Sequence, residues 1–571
     1  MRSFRNAAED FLPEALGGLI AAHPDAVWDE AGFVARRSPL VTADGAPAVA
    51  LVSGGGSGHE PMHAGFVGAG MLAAACPGLL FTSPNAVQVT EATRWADQGR
   101  GVLHVVKNYT GDVMNFRVAR QALSDVETAE VIVDDDVATD MAGGNSDSDS
   151  DGGPGRRGTA ATILVEKIAG AAAHRGDDLA AVARIAQSVA DNSRSMSVAL
   201  APGHLPTSGR DTFDLDAGEM ELGVGIHGER GVSRVAAEGA DAVCEHLLEE
   251  ITAALGLGEG EEVFCLVNGL GGTTALELDL LFGRAAGWLG ERGIQVRRSL
   301  VGSFVTSVNM AGASITLTRV LPDFLELLDA ETAAPAWPRA LGGPLDPANP
   351  PTPARIAFAD GLSRDAAPRD GEECAWLGAF VERVQGAVDK LTELDRLAGD
   401  GDFGANMDAA LGDIALPMRG TDAELADALS HRFLVRAGGT SGAVLGTAFR
   451  EIAAGLGNNP GAAGLAGGLE NAASAVMDLG GAQEGDRTLL DALAPAARAA
   501  REAADRGDGF DEALTAAHDA AEAGALATRE LVARKGRASY VGDAARGVPD
   551  PGAIVLAWIF GGSGKVADFR D

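Results

Sequence analysis

Strand-like apolar runs punctuate the first half of the chain and all but vanish after Gly371. That change of pattern constrains the fold more than any single motif, because 571 residues are too many for one hydrophobic core and must divide. Between the two regimes lies a proline-rich stretch: Ala333-Ala334-Pro335-Ala336-Trp337-Pro338, then Pro344, Pro347, Pro350, Pro351 and Pro353. It reads as a linker over 333–370. Before it, strand candidates (Val49–Val52, Val102–Val106, Glu130–Val133, Ser197–Leu200, Val263–Val267, Val296–Leu300, Ser314–Thr318) alternate with helix candidates (Gly158–Ala173, Asp178–Ser193, Ala237–Leu255, Thr274–Arg292). Such alternation predicts a largely parallel α/β architecture over 1–332, with sites at strand carboxyl ends. The pattern restarts near residue 190, which predicts two lobes, 1–190 and 191–332. After Gly371, amphipathic segments follow one another: Cys374–Leu394, Asn406–Ala415, Asp422–Val435, Gly442–Gly455, Leu465–Leu479, Thr488–Ala504, Phe510–Arg529 and Ala553–Phe560. They predict an all-helical unit over 371–571, a bundle of about eight helices.

Charge removes several classes of partner. Forty-five basic residues stand against 81 acidic ones, a formal net charge of −36. Nucleic acid and anionic membranes both require a basic face, so neither is expected. No apolar run approaches the roughly 18 residues of a membrane span, and Met1-Arg2-Ser3-Phe4-Arg5-Asn6 lacks a signal-peptide core. Cys76, Cys244, Cys265 and Cys374 show no zinc or disulfide spacing, so buried thiols in a reducing, cytoplasmic setting are expected. The acidic run Asn145-Ser146-Asp147-Ser148-Asp149-Ser150-Asp151-Gly152-Gly153 reads as a solvated insertion, because no bidentate glutamate follows at EF-hand spacing.

Three passages of the first half carry chemistry. In Leu51-Val52-Ser53-Gly54-Gly55-Gly56-Ser57-Gly58-His59-Glu60-Pro61 a buried strand gives way to a glycine-rich loop ending in His59. Glycines let backbone approach a small polar ligand closely. In Val106-Lys107-Asn108-Tyr109-Thr110-Gly111-Asp112 a lysine, an asparagine and an aspartate cluster beyond a strand end. In Leu222-Gly223-Val224-Gly225-Ile226-His227-Gly228-Glu229 a histidine sits among glycines, where it has no core to fill. His104 within an apolar strand, and His23 and His174 at the surface, read as structural.

Ser53–Pro61, Val106–Phe116, Gly155-Arg156-Arg157-Gly158 and Gly223–Gly228 together resemble the substrate domain of dihydroxyacetone kinases. The resemblance implies that His227 attacks the ketone of a short ketose to form a covalent hemiaminal. A small uncharged sugar offers little binding energy, and a reversible bond to its carbonyl supplies grip and discrimination. It further implies that Gly56, Ser57, Gly58, His59 and Lys107 hydrogen-bond substrate oxygens. Asp112 would take the proton of the terminal hydroxyl, with His59 in support.

In the second half, Leu394-Asp395-Arg396-Leu397-Ala398-Gly399-Asp400-Gly401-Asp402-Phe403-Gly404-Ala405-Asn406-Met407 ends one helix and opens another. Three aspartates brought together by glycines favour a hard cation such as Mg2+ holding phosphates. Ala437-Gly438-Gly439-Thr440-Ser441-Gly442 precedes a helix near Ala443, whose free N–H groups suit a phosphate. These passages, with Gly480–Leu489, Gly536–Tyr540 and Asp550–Ala553, resemble the nucleotide domain of the same family. By that resemblance Asp395, Asp400 and Asp402 hold Mg2+, as two ions. Phe403, Gly404, Ala405, Asn406, Ser441, Gly442, Gly480, Thr488, Leu489, Arg537, Asp550, Pro551 and Gly552 line ATP, with Arg537 offering charge to its phosphates. One position departs from the pattern: Phe403 stands where most relatives carry histidine. Gly561-Gly562-Ser563-Gly564-Lys565 has the wrong spacing for a phosphate loop, and Val566 replaces its hydroxyl residue.

The resemblance therefore implies an ATP-dependent ketose kinase whose two domains are fused in one chain. It also implies a homodimer in which each helical domain serves its partner's ketose site. Dihydroxyacetone is the default substrate and erythrulose the alternative. A catalytically silent regulatory protein on the same scaffold, or lyase chemistry on a flavin dinucleotide, are the competing readings.

Overall fold

In a computed structural model, which describes residues 3–139, 155–346, 352, 371–399, 401–535, 539 and 546–561, the chain falls into two units, Met1–Pro353 and Ala354–Asp571. In the first unit, β1 (Ala26–Asp29), β2 (Phe33–Arg36), β3 (Ala50–Ser57), β4 (Ala74–Leu80), β5 (Val102–Lys107) and β6 (Thr128–Val133) form one sheet, in the order β1-β2-β4-β3-β5-β6. Strands β4, β3, β5 and β6 are parallel, and β2 and β1 add an antiparallel edge. Alternation along the strands feeds two cores. Leu51, Leu103, Val105 and Val131 pack against helices Ala161–Arg175 and Leu179–Asp191. Ala50, Val52, Val102 and Val106 pack against helices Ala86–Ala96 and Thr110–Ala122.

The second lobe departs from the expected parallel arrangement. Strands β7 (Ser193–Ala201), β8 (Glu219–Leu222), β9 (Ser233–Ala236), β10 (Glu262–Gly269), β11 (Gln295–Gly302) and β12 (Ala311–Arg319) are ordered β11-β10-β12-β7-β8-β9. Only β10 and β11 run parallel. The reason lies in the connections. Helix Ala275–Glu291 carries the chain from β10 to β11, the one crossover a parallel pair needs, while β8 and β9 are joined by a loop without a helix.

The proline-rich stretch also differs from its reading as linker. Its first part, 333–345, is laid on the α/β unit. Ala333 N–H donates to Ala69 O and Ala336 N–H to Gly65 O, and Trp337 is 6% exposed beside Phe66. A Cβ at Gly68 would lie 2.3 Å from Ala334 N, so glycine admits this segment. Further on, Gly342 pairs with Ser299 of β11, and Leu345 N–H donates to Val296 O.

The second unit has nine α-helices among the described residues rather than eight. The segment read as one helix over Cys374–Leu394 is two, Ala375–Gln385 and Val388–Ala398, interrupted at Gly386 and Ala387. Ala513, Ala517, Ala521 and Ala525, four residues apart and fully buried, form a small-residue ridge on helix Phe510–Ala527, which packs against helix Leu490–Arg506. Among the described residues no helix is long and apolar enough to cross a membrane, and all four cysteines are buried free thiols.

Candidate active site

The glycine run of the first motif is strand rather than loop. β3 continues through Gly54, Gly55 and Gly56, paired with Cys76, Pro77 and Gly78 of β4. Each glycine answers a close neighbour. A Cβ on Gly54 would sit 2.7 Å from Cys76 O, one on Gly56 2.6 Å from Thr82 N, and one on Gly55 2.1 Å from Lys107 Nζ. Gly58, at φ +106°, makes the turn out of the strand. The Ser57 hydroxyl donates to Gly78 O at 2.7 Å, so it ties β3 to β4. Gly56 and Ser57 therefore shape the strand end, and His59 is the first side chain beyond it.

His59, Lys107, Asp112 and His227 converge. The His59 and His227 rings lie 4.7 Å apart between centroids, edge to face, and Tyr109 approaches His227 at 4.6 Å. Phe81 stacks on His59 at 5.3 Å. His227 comes from the loop between β8 and β9, so the cluster lies where the two lobes of the α/β unit meet. The His59 Nδ1–H donates to Thr306 O at 2.9 Å, and a carbonyl can only accept. Nδ1 therefore carries the proton, and Nε2 is a lone pair that is buried without a partner. Burial, with the nearby His227 and Lys107, holds the His59 pKa well below the ordinary histidine range, so the ring is neutral.

Glu229 fixes the tautomer of His227. Its Oε1 accepts from His227 Nδ1 at 2.9 Å and its Oε2 from His227 N–H at 3.0 Å. Nε2 of His227 is thereby left as the lone pair of a neutral ring, its orientation fixed by the carboxylate on the other nitrogen. Burial pushes the Glu229 carboxyl up, but its hydrogen bond to His227 and the nearby Arg157 outweigh this and hold it below the usual range. A Cβ on Gly225 would fall 1.9 Å from Glu229 Oε2, which is why a glycine precedes the histidine there. Arg157 of the third motif donates to Asp136 Oδ2 and Gly223 O, each at 2.8 Å, and ties that loop to the first lobe.

Lys107 is wholly buried and all three of its protons are engaged. They reach Gly54 O at 3.2 Å, His63 Nε2 at 2.9 Å and Asp112 Oδ2 at 3.3 Å. The other carboxylate oxygen, Asp112 Oδ1, is buried without a partner, as is the Tyr109 hydroxyl. Buried polar groups are rarely left unpaired. His59 Nε2 and Tyr109 OH beside His227, and Asp112 Oδ1 beside Lys107, are thus three buried polar atoms whose hydrogen bonds a small polyhydroxy ligand could complete. Glu229, His63 and Glu166 were missed from the sequence. Glu166 did leave a signal, since Glu166-Lys167 interrupts the apolar run Ala160–Ala173.

In the helical unit the expected nucleotide residues gather where helices end. Asp395 Oδ2 accepts from Gly401 N–H at 2.9 Å and Phe403 N–H at 3.2 Å, which closes the aspartate loop. Helix Phe403–Leu411 opens there with Gly404, Ala405 and Asn406 in its first turn; Asp402, at its N-cap, makes no side-chain capping hydrogen bond. The Phe403 ring is buried in the helical core, so this residue serves Asp395 through its backbone. Gly438 N–H donates to Asn406 Oδ1 at 3.2 Å. Helix Gly439–Asn458 starts earlier than expected and takes Ser441 and Gly442 into its first turn. Thr488 N–H donates to Asp491 Oδ2 at 2.8 Å, and Leu489 Cβ lies 3.5 Å from where a Cβ of Gly552 would be. Asp550 caps helix Pro551–Ile559 by accepting from Ala553 N–H at 2.8 Å. Gly480, exposed at its helix end, is followed by Gly481, whose Cβ would meet Lys535 Nζ at 3.6 Å. Asp400 and Arg537 lie outside the described residues, as do 145–153 and 562–565.

Among the described residues no group of three or more metal-ligating side chains is assembled. The donor chemistry nonetheless fits a hard cation. Burial raises the Asp550 carboxyl to about 6, and the neighbouring Asp491 and Asp395 charges add to that rise against the Ala553 hydrogen bond and Arg487.

Residues 17–336 match the Dak1 domain and residues 397–564 the DAK2 domain. The chain is 35% identical over 584 residues to the triokinase/FMN cyclase of Rattus norvegicus, covering 97% of each. It is 35% identical over 584 residues to the L-erythrulose 1-kinase of Mycolicibacterium smegmatis, covering 98% of each. The crystal structure of the dihydroxyacetone kinase from C. freundii in complex with AMP-PNP and Mg2+ is similar, with 31% identity, 98% coverage of each chain and a TM-score of 0.61. A histidine–carboxylate cluster on an α/β unit, followed by a helical unit with acidic helix ends, defines a two-domain kinase. The chain belongs to the dihydroxyacetone kinase family, in the form that carries both domains in one polypeptide.

Proposed function

We propose that this kinase transfers the γ-phosphoryl of Mg-ATP to the terminal hydroxyl of dihydroxyacetone, held meanwhile as a hemiaminal on His227. The observation that carries the reading is a pair of buried, unpartnered atoms, His59 Nε2 beside a histidine whose tautomer Glu229 has fixed and Asp112 Oδ1 beside Lys107. His227 Nε2 forms a bond to C2 as the carbonyl π bond opens. The Nδ1 proton passes to Glu229, the former carbonyl oxygen takes a proton from a water to become a hydroxyl, and the hydroxide so formed recovers the proton held by Glu229, so that one proton in all moves from Nδ1 to oxygen. Asp112 Oδ1 then accepts the proton of the terminal hydroxyl while its oxygen bonds to the γ-phosphorus, the bond to ADP breaks, and His59 holds the acceptor in place. Asp395 and Asp402, with Asp400, would hold Mg2+, which supplies charge neutralisation to the phosphates. The helix starts at Phe403–Asn406 and Gly438–Gly442 would bind the phosphates through N–H groups.

Two relatives named for erythrulose and triose substrates are equally near in sequence, so erythrulose is the alternative acceptor. Steady-state kcat/KM on dihydroxyacetone, both erythrulose enantiomers and glyceraldehyde, with Mg2+ and then with EDTA, decides between them. Absence of turnover on all four sinks the proposal.

A further inference from the structure

Behind the cluster lies a line of buried polar side chains that the phosphorylation steps do not use. His63 is 5% exposed and Glu166 not at all. Glu166 Oε1 lies 2.6 Å from His63 Nδ1, His63 Nε2 lies 2.9 Å from Lys107 Nζ, and Lys107 Nζ lies 3.3 Å from Asp112 Oδ2. An ammonium can only donate, so His63 Nε2 accepts and Nδ1 carries the proton, which it gives to Glu166 and shares with Ser53 Oγ at 3.0 Å. The Ser53 hydroxyl in turn donates to Val105 O at 2.8 Å, which fixes its oxygen as the acceptor. The proton directions therefore agree along the whole line, from Asp112 back to helix Ala161–Arg175. Burial lowers the His63 pKa well below the ordinary range, with Lys107 and His59 adding to this, so the ring is the neutral acceptor the ammonium requires. Burial also raises the Glu166 carboxyl to about 8, against Ser53 and Lys107, so a neutral acceptor suffices at that end.

We infer that His63 and Glu166 are positioning residues for phosphoryl transfer: they aim the Lys107 ammonium at one oxygen of Asp112 and so leave the other, Oδ1, turned to the acceptor hydroxyl. The glycine at 55 belongs to the same device, since any side chain there would occupy the place of the ammonium. Lys107 works in this reading through Asp112 and not by spending a proton on the sugar. The inference rests on the proposal that Asp112 receives the hydroxyl proton.

The test uses the full chain and four variants: His63→Phe, Glu166→Gln, Glu166→Met and Asp112→Asn. For each, kcat and KM for the ketose are measured, together with hemiaminal formation by intact-protein mass spectrometry. His63→Phe and Glu166→Met are expected to lose about 100-fold in kcat, the scale of a misplaced catalytic group. Their ketose KM should stay within about threefold of the parent, and the His227 adduct should still form. Glu166→Gln keeps an acceptor for His63 Nδ1–H and should restore kcat to within about threefold. Parental kcat in His63→Phe overturns the inference. So does joint loss of adduct and turnover in both His63→Phe and Glu166→Met, which marks a merely structural role. Full turnover in Asp112→Asn would instead remove the underlying assignment of the base, and so separates the two failures.

Discussion

At the scale of single residues, the site is defined by which nitrogen of each histidine is spoken for. Thr306 O takes the proton of His59, Glu229 that of His227, and the ammonium of Lys107 forces His63 into the accepting role. His227→Ala should abolish the covalent adduct in mass spectra while nucleotide binding, read by calorimetry, stays intact. Glu229→Gln should keep the fold but lower the rate of adduct formation by about 10–100-fold, because the amide can present its NH2 to Nδ1 and favour the wrong tautomer. Stability should also report on Glu166. Its folded pKa is raised above that of an unfolded carboxyl, so its contribution is fully present below about 4.5 and is lost as pH rises through about 8. His63, lowered in the fold, contributes above its unfolded value and loses that contribution as pH falls. Glu166→Gln should therefore match the parent near pH 5 and exceed it near pH 9 by about 1–3 kcal/mol in thermal or urea unfolding. Equal curves at both pH values would contradict the buried neutral carboxyl.

At the scale of elements, β3 shows why strand glycines mislead. Gly54-Gly55-Gly56 reads as a loop because glycine is poor in strands, yet continued pairing with β4 overrides that preference. Gly55→Ala should destroy kinase activity through the ammonium it displaces, whereas Gly17→Ala, on an exposed helix with open space around it, should be neutral or slightly stabilising. The expected strands β3, β5, β6, β7, β10, β11 and β12 all exist, since each carries at least two of Val, Ile and Leu in a short segment. β4 escaped notice because Ala74-Ala75-Cys76-Pro77-Gly78 is built of small residues that pack only in context. β8 and β9 did so because glutamates, arginine and serine dilute their pattern at the open side of the sheet. The site was legible in the same graded way. His59, Asp112 and His227 stand in conspicuous surroundings, but Glu229 owes its role to a turn, and His63 and Glu166 to a contact spanning 103 residues of sequence. Helix–helix boundaries failed where only Gly386 marks the break.

At the scale of the whole molecule, the proposed function divides labour between the two units. Asp395→Asn keeps an acceptor for Gly401 and Phe403 but removes a charge, and should weaken Mg-nucleotide binding about tenfold or more while the ketose adduct still forms. Failure of the same assay in both Asp395→Asn and His227→Ala would contradict the division. We further propose a homodimer in which each helical unit serves the partner's ketose; solution scattering showing a compact monomer would remove this. With 333–345 laid on the α/β unit, about 25 residues remain to span between the units, a reach of roughly 80–90 Å when extended. Trp337→Ala in the full chain should cost about 3–5 kcal/mol, the usual toll for emptying a buried aromatic site.

The strap formed by 333–345 touches the first lobe at Gly65 and Ala69, then crosses to β11 of the second. Force applied to the chain at Leu345 would first have to peel the hydrogen bonds to Val296 and Ser299 from the margin of that sheet. His59 and His227 precede that anchorage in the chain, and their partners Thr306, Phe81, Tyr109 and Glu229 all precede it too, so such a load would reach the strap before it reached the cluster.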